Sequence, residues 1–546
     1  MKARCIGLIL YVALNAFFNI SIAQIHSGGT PLNFRKNLKS SVNIPKITLP
    51  AVNVSTLMEE DAVTENLPDY PYRFAKAFRI DVELTEQGLL EEMPNGDKLM
   101  QLSIYSKGAY SLQVIFDKYV LPEGARLFIY SRNKKHVLGA FTFKNNKPSK
   151  KLAIAPVPGD EIFLEYFEPV DAEFTGELKI GQVSHAYKSI FSPQDDRYGL
   201  SQPCNKDINC AEGNDWQMEK RAVCRIIFTK GESSYLCSGS LINNTRNNGA
   251  PYLLTANHCL ATYLEAETAV FYFNYESPTC LGPDGDDTQT MSGATIKATT
   301  WHLDFSLVEL SNSVPAEYQP YFAGWDITTD APEKVTTIHH PQGDVKKISY
   351  FNETPETGDF IYEFDFDDST HWFIPNWTQG IAEGGSSGCP LFNQDHRIVG
   401  DLTGGSVVAN CTMADAYFAK ISHSWADYND TITQLKYWLD PDSTGVTFLD
   451  GYDPFASNSA GEIENEKKFF IYPNPSRGLV YINFHEPIQS KVVVWVYDIT
   501  GKVLHSKIIF DPVKRIELDF ENQPNGLYLV RIITDDYLIT KRIIKY

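Results

Sequence analysis

Beyond its first two dozen residues the chain has no apolar run long enough to cross a bilayer. It is also short of positive charge. The 48 Lys and Arg stand against 68 Asp and Glu, a formal charge of −20, which argues against nucleic acid as a partner and makes a basic peptide the more natural visitor. Cysteine is missing from residues 24–203 and 412–546, and no tight C-x-x-C pair occurs anywhere, so a zinc site of the usual spacing is not expected. No metal or cofactor is called for. With 43% hydrophobic and 21% charged residues the composition is globular, and 546 residues are enough for several domains.

What is present falls into five stretches. Lys2 and Arg4 precede an apolar segment from Ile6 to about Ile20, and Ser21-Ile22-Ala23 offers small residues for cleavage, so residues 1–23 read as a secretory signal. Residues 24–197 read as a propeptide. Its first part, to about residue 68, is Ser/Thr/Pro-punctuated and is expected to be a flexible leader. From Tyr72 to about Ile190 short alternating runs such as Arg126-Leu127-Phe128-Ile129-Tyr130 predict a β-sandwich. Residues 198–451 hold eight cysteines, an even number that reads as disulfides in an exported chain. One helix is predicted there over Thr431–Leu439, capped by Asp430 or Thr431 and ended by Pro441. Residues 452–466 read as a linker, and residues 467–546 as a small sandwich.

The cysteine block carries the chemistry. Thr255-Ala256-Asn257-His258-Cys259 is followed by Asp304-Phe305-Ser306-Leu307 and then by Gly384-Gly385-Ser386-Ser387-Gly388. His258, Asp304 and Ser387 stand 46 and 83 residues apart, in the order of a chymotrypsin-type triad. A serine hydroxyl needs a base, histidine titrates near neutrality, and a buried aspartate fixes its tautomer. The glycines let the N–H groups of Gly385 and Ser387 turn toward an oxyanion.

These motifs, with Arg221-Ala222-Val223, Ile338-His339-His340-Pro341 and Trp438-Leu439-Asp440-Pro441, resemble those of bacterial lysyl endopeptidases, secreted serine proteases of the chymotrypsin fold. The resemblance implies a mainly β chain: a double-barrel protease flanked by the sandwich propeptide and the small C-terminal sandwich. It implies disulfides Cys204–Cys411, Cys210–Cys280 and Cys237–Cys259. Cys224 and Cys389 depart from the family pattern, which suggests that they pair with each other. It implies Asp415 as the pocket carboxylate for a substrate lysine, and Gly404-Gly405 as the edge that pairs with substrate backbone. Trp377 matches a family tryptophan near the triad. Thr403 replaces its usual histidine partner, so the family's pH behaviour and strict lysine preference do not carry over with the resemblance. Ser386 replaces the aspartate that precedes the nucleophile in trypsin-like enzymes, so propeptide removal, with a cut between Arg197 and Tyr198, is the expected activation.

The tail resembles the C-terminal sorting domain of type IX secretion. The residues that carry this are Tyr472-Pro473-Asn474-Pro475, Val496-Tyr497-Asp498, Asn525-Gly526-Leu527-Tyr528 and Lys541-Arg542-Ile543-Ile544-Lys545. The expectation is a secreted or surface-held monomeric endopeptidase, exported through the periplasm. Its partners would be peptides with basic residues before the scissile bond and the type IX machinery. The alternative is a non-catalytic surface-binding protein on a protease scaffold. Asp284-Gly285-Asp286-Asp287 lacks a full calcium-loop pattern and reads as a solvated loop.

Overall fold

The computed structural model describes residues 28–35, 44–64, 70–191, 200–360, 366–406, 411, 414–455 and most of 469–545. The signal segment, Arg197, Tyr198 and residues 456–466 of the linker lie outside the described residues. The described chain divides into two units, residues 1–454 and 455–546.

Residues 72–190 form the predicted sandwich. Lys98–Tyr105, Glu161–Glu168, Arg126–Ser131 and Val137–Phe141 lie in a six-stranded sheet, and Tyr72–Glu83, Glu177–Ala186 and Ser111–Val120 lie side by side in a second sheet. Alternate residues of the two, among them Ile104, Ile129, Leu164, Val114, Phe116 and Ile180, are buried in one apolar cluster. The residues that enter this cluster alternate along the strands, but both faces of most of them are buried.

The leader is more ordered than expected. Lys46–Thr48 pairs in parallel with Lys98–Tyr105, and Val54–Thr64 is an eleven-residue helix. This helix docks through charge: its one buried residue, Asp61, takes Arg73 at 2.6 Å, Lys188 at 2.6 Å and the Tyr187 hydroxyl at 2.8 Å. A helix held by a buried carboxylate leaves no apolar stripe to read in the sequence.

The cysteine block folds into two antiparallel β systems. The first holds Val223–Lys230, Ser233–Leu241, Tyr252–Ala256, Val270–Phe273, Ala294–Thr300 and Phe305–Leu310. The second is a ten-stranded sheet that includes Val335–His339, Lys347–Phe351, His371–Ile374, Pro390–Phe392, Arg397–Gly404 and Ala416–Lys420. The first system does not stop at the cysteine block. Ser233–Leu241 also pairs with Tyr72–Glu83 of the preceding sandwich, so one twelve-stranded sheet runs through both.

The helix predicted over Thr431–Leu439 is instead a 3₁₀ turn at Thr431–Thr433 and a single α turn at Lys436–Leu439. Gln434 between them is extended, at φ −135° and ψ 135°. Tertiary bonds take it out of the helix: the Gln434 side chain donates to Ala426 O and the Leu435 amide to Ser424 O. Asp430 does cap the first turn, accepting from the Ile432 amide. Leu435 and Leu439 are buried, but Ile432 is exposed.

Cys204–Cys411, Cys210–Cys280 and Cys237–Cys259 are bonded. The expected bridge between Cys224 and Cys389 is absent, and both are free buried thiols. Cys224 belongs to the large apolar cluster that runs through the first barrel, and Cys389 to a separate cluster within the second, where its sulfur lies 3.0 Å from Thr337 Oγ1. Burial pushes both thiols well above their ordinary range. Neither should react with iodoacetamide in the folded protein, and both should label on unfolding. Labelling of either before unfolding would contradict this placement.

The C-terminal unit is the predicted small sandwich. One three-stranded sheet is built on Leu479–Ile488, and one four-stranded sheet on Val492–Tyr497 and Gly526–Ile533. Val480, Ile482, Val494, Val530 and Ile532 fill its core.

Candidate active site

His258 follows the strand Tyr252–Ala256, and the Cys237–Cys259 disulfide anchors the next residue. Its partner Asp304 ends a 3₁₀ turn at Trp301–Leu303 in the left-handed region, at φ 47°, which short polar residues tolerate best. That turn aims the carboxylate back at the histidine. The His258 amide donates to Asp304 Oδ1 at 3.0 Å, and Nδ1 lies 2.9 Å from Oδ2 and 3.1 Å from Oδ1. Asp304 is 2% exposed. A buried carboxylate facing Nδ1 holds the proton on that nitrogen and leaves the lone pair on Nε2. Nε2 is buried and bonds to no described group, Ser387 Oγ included.

The serine loop is pinned against the neighbouring strand Ser233–Leu241. The Ser238 amide donates to Ser387 O at 2.8 Å, and Ser238 Oγ to Gly385 O at 3.0 Å. Gly388, at φ 76°, packs so closely that a Cβ there would stand 2.1 Å from Thr255 Oγ1 and 2.6 Å from the Ala256 amide. Gly385 has φ 93°. Neither the Gly385 nor the Ser387 amide donates to a described group. The site therefore combines a hydroxyl, an oriented imidazole and two uncommitted backbone donors within one loop-and-strand junction. Beside His258 lies a cavity of about 170 Å³ lined by Lys230, Asn257, Ala261, Trp301, Asp304 and Phe366.

Ser386 occupies a polar interior where trypsin-like enzymes keep a carboxylate. Its Oγ lies 2.7 Å from His339 Nδ1 and accepts from the Glu383 amide at 3.2 Å, while His339 Nε2 lies 3.1 Å from Ser349 Oγ. Burial, with Lys347 nearby, pushes His339 down to about 3, so it is a neutral strut. Glu383 is held by the Gln202 amide at 2.9 Å and by Asn205 and Gln342. Ser201 bonds the buried Asp344 through its amide and hydroxyl. Gln202 and Asn205 thus brace the serine loop through Glu383.

Asp415 sits beyond the end of the strand Arg397–Gly404. Its Oδ1 accepts from the Ser406 amide at 2.5 Å, and its backbone O would lie 2.3 Å from a Cβ placed on Gly405. Asp415 is half-buried, and Gly404 pairs with Tyr417. Asp415, Gly404 and Gly405 are therefore together. Trp377 and Thr403 are not shown as partners. Trp377 packs edge-on against Phe418, with ring centroids 6.1 Å apart, whereas Thr403 Oγ1 lies 3.1 Å from His371 Nε2. His371 is fully buried and is pushed down to about 4 by that burial, against the pull of Asp304. It carries no motif, and only the fold brings it to Thr403.

Asp401 is a second residue that the sequence did not flag. It is 1% exposed, and neither carboxylate oxygen bonds to a described group. Burial, reinforced by the charge of Asp304, raises it well above the ordinary carboxylate range. A carboxyl raised in the folded state costs stability above its unfolded value near 4, and the cost disappears as the pH falls to that value. Asp401→Asn should therefore raise Tm at pH 7 more than at pH 4. An equal shift at the two pH values would contradict a neutral Asp401.

Two barrels with a His–Asp pair and a glycine-framed serine beside it are the arrangement of the chymotrypsin-like class of serine proteases. Residues 198–419 match the family model of the lysyl endopeptidase C-terminal domain, and residues 470–546 that of the secretion system C-terminal sorting domain. The chain therefore carries a segment similar to the lysyl endopeptidase C-terminal domain, followed by a secretion sorting tail that points to secretion or the cell surface. Among curated proteins it is similar to a lysyl endopeptidase of Pseudomonas aeruginosa, 26% identical over 302 residues, or 52% of this chain. The match spans 62% of that relative's length. Similar solved structures include a thermostable serine protease from an extremophilic microorganism, 13% identical, covering 37% of this chain and 92% of that one with TM-score 0.28. Another is protease Anisep from Arthrobacter nicotinovorans, 17% identical, covering 40% and 93% with TM-score 0.28.

Proposed function

We propose that the protein is a secreted endopeptidase that cleaves after lysine and arginine through Ser387, His258 and Asp304. The observation that carries this reading is the His258–Asp304 contact at 2.9 Å, with Nε2 left unbonded beside the serine loop. Ser387 Oγ attacks the scissile carbonyl and passes its proton to His258 Nε2. The Gly385 and Ser387 amides receive the oxyanion. His258 then protonates the leaving amine, and water repeats the sequence on the acyl-enzyme. Asp415 faces the ammonium or guanidinium of the residue before the scissile bond. The edge at Gly404-Gly405 pairs with the substrate backbone. Trp377 and Thr403 flank that side of the cleft. A fluorophosphonate that modifies activated serines should label Ser387 in the secreted protein. No labelling would favour the surface-binding alternative.

Maturation follows from the same reading. Arg197 is the only basic residue between Lys188 and Lys206, so a self-cut before Tyr198 requires a pocket that accepts arginine. Secreted Ser387→Ala protein should retain residues 1–197, apart from its signal segment. If the inert variant still begins at Tyr198, another protease makes the cut. The type IX machinery is the partner of the tail, and the mature enzyme acts as a monomer.

A further inference from the structure

The propeptide strand Tyr72–Glu83 lies on an edge of the protease, Ser233–Leu236, that leads into the serine loop. Its register on Ser233–Leu241 runs from Lys76 opposite Ser233, through Ala75 opposite Ser234 and Arg73 opposite Tyr235, to Tyr72 opposite Leu236. The next residues of the protease strand are Cys237, bonded to Cys259 beside His258, and Ser238, whose amide holds Ser387 O. Tyr72 thus arrives at the cleft. A Cβ on Gly384 would stand 3.0 Å from its Cδ2, so the tyrosine ring lies against the loop that carries Gly385 and Ser387. Around it the Tyr70 and Tyr235 hydroxyls lie 3.1 Å apart, and the Ala77 amide donates to Glu232 O at 2.8 Å.

Direction decides what this strand imitates. The protease strand approaches Ser387 as its residue numbers rise, and the propeptide strand is antiparallel to it. The propeptide therefore starts at the serine loop and runs away from it, the course of the half of a substrate that leaves with the new amine. It also offers nothing to cut. No Lys or Arg occurs between Lys46 and Arg73. Arg73 itself is tied to Asp61 at 2.6 Å and Glu60 at 2.9 Å, and cannot enter a specificity pocket while so paired.

We propose that residues 72–77 are a built-in inhibitor that mimics the leaving half of a substrate, holding the edge Glu232–Leu236 by strand addition until the propeptide departs. The inference rests on the peptidase reading above. The freed edge then serves extended peptides, so the precursor is blocked toward proteins but open to substrates that have nothing beyond the scissile bond.

The test uses the full chain kept intact by Arg197→Gln, compared with the mature chain. Two substrates share one basic acyl half: a methyl ester, and a peptide extended by four residues after the scissile bond. The precursor should turn over the ester within a few-fold of the mature enzyme and the extended peptide at least a hundredfold more slowly. Tyr72→Gly in the intact precursor should recover at least tenfold on the peptide and leave the ester rate unchanged. Hydrogen exchange needs no variant at Tyr72: amides 233–236 should exchange more slowly in the precursor than in the mature chain. Equal loss on both substrates, no loss on the peptide, or equal exchange overturns the proposal. Failure of the mature chain on both substrates overturns the peptidase reading instead.

Discussion

Ser387→Ala should leave a folded, exported protein whose peptidase rate falls by on the order of a millionfold, and His258→Ala should match it. The two act as one unit, so the double variant should lose no more than either single one. The fold has little at stake in the change. Ser387 is tied into the structure through its backbone, with its carbonyl accepting from Ser238, while Gly388 and Gly385 shape the loop. Asp304→Asn is the more discriminating variant. An asparagine amide facing Nδ1 favours the tautomer with its proton on Nε2, where it blocks acceptance of the serine proton, and turnover should fall by roughly four orders of magnitude. Because the His258 amide also bonds Asp304 Oδ1, a small loss of stability should accompany it. Near-normal turnover by Ser387→Ala would remove the mechanism altogether.

The second large effect is expected at Asp415. Replacing it with alanine should lower kcat/KM for lysyl and arginyl substrates more than a hundredfold, about 3 kcal/mol of transition-state binding, as when a desolvated charge loses its partner. The thermal midpoint should move little. The one described bond of its carboxylate is to the Ser406 amide at the rim of the second barrel, and Ala414 and Ala416 carry the packing on either side. Unchanged preference for basic residues would mean that Asp415 does not line the pocket.

Sequence carried the parts that depend on short motifs. The His258, Asp304 and Ser387 segments each announce themselves locally, and the first two prove to be in direct contact. The β period of the tail was legible for the same reason: in Val492–Tyr497 alternate burial writes itself into alternate residues. What stayed hidden depends on partners distant in sequence. The Val54–Thr64 helix is held by Asp61 against Arg73 and Lys188, and Lys188 lies more than a hundred residues away. Thr431–Leu439 has the right periodicity, yet bonds to Ser424 and Ala426 break it. The pairing inferred for Cys224 and Cys389 rested on both being departures from the family pattern, whereas the two thiols lie in separate apolar clusters. His371 and Asp401 are ordinary letters until the second barrel buries them near Asp304.

The central claim is tested most directly by digesting a mixed proteome with the secreted protein and identifying the new peptide termini by mass spectrometry. Cleavage after lysine, with arginine as the second residue and no cleavage by Ser387→Ala, is the predicted result. New termini that follow other residues, or an undigested proteome from protein that has lost residues 1–197, would contradict it.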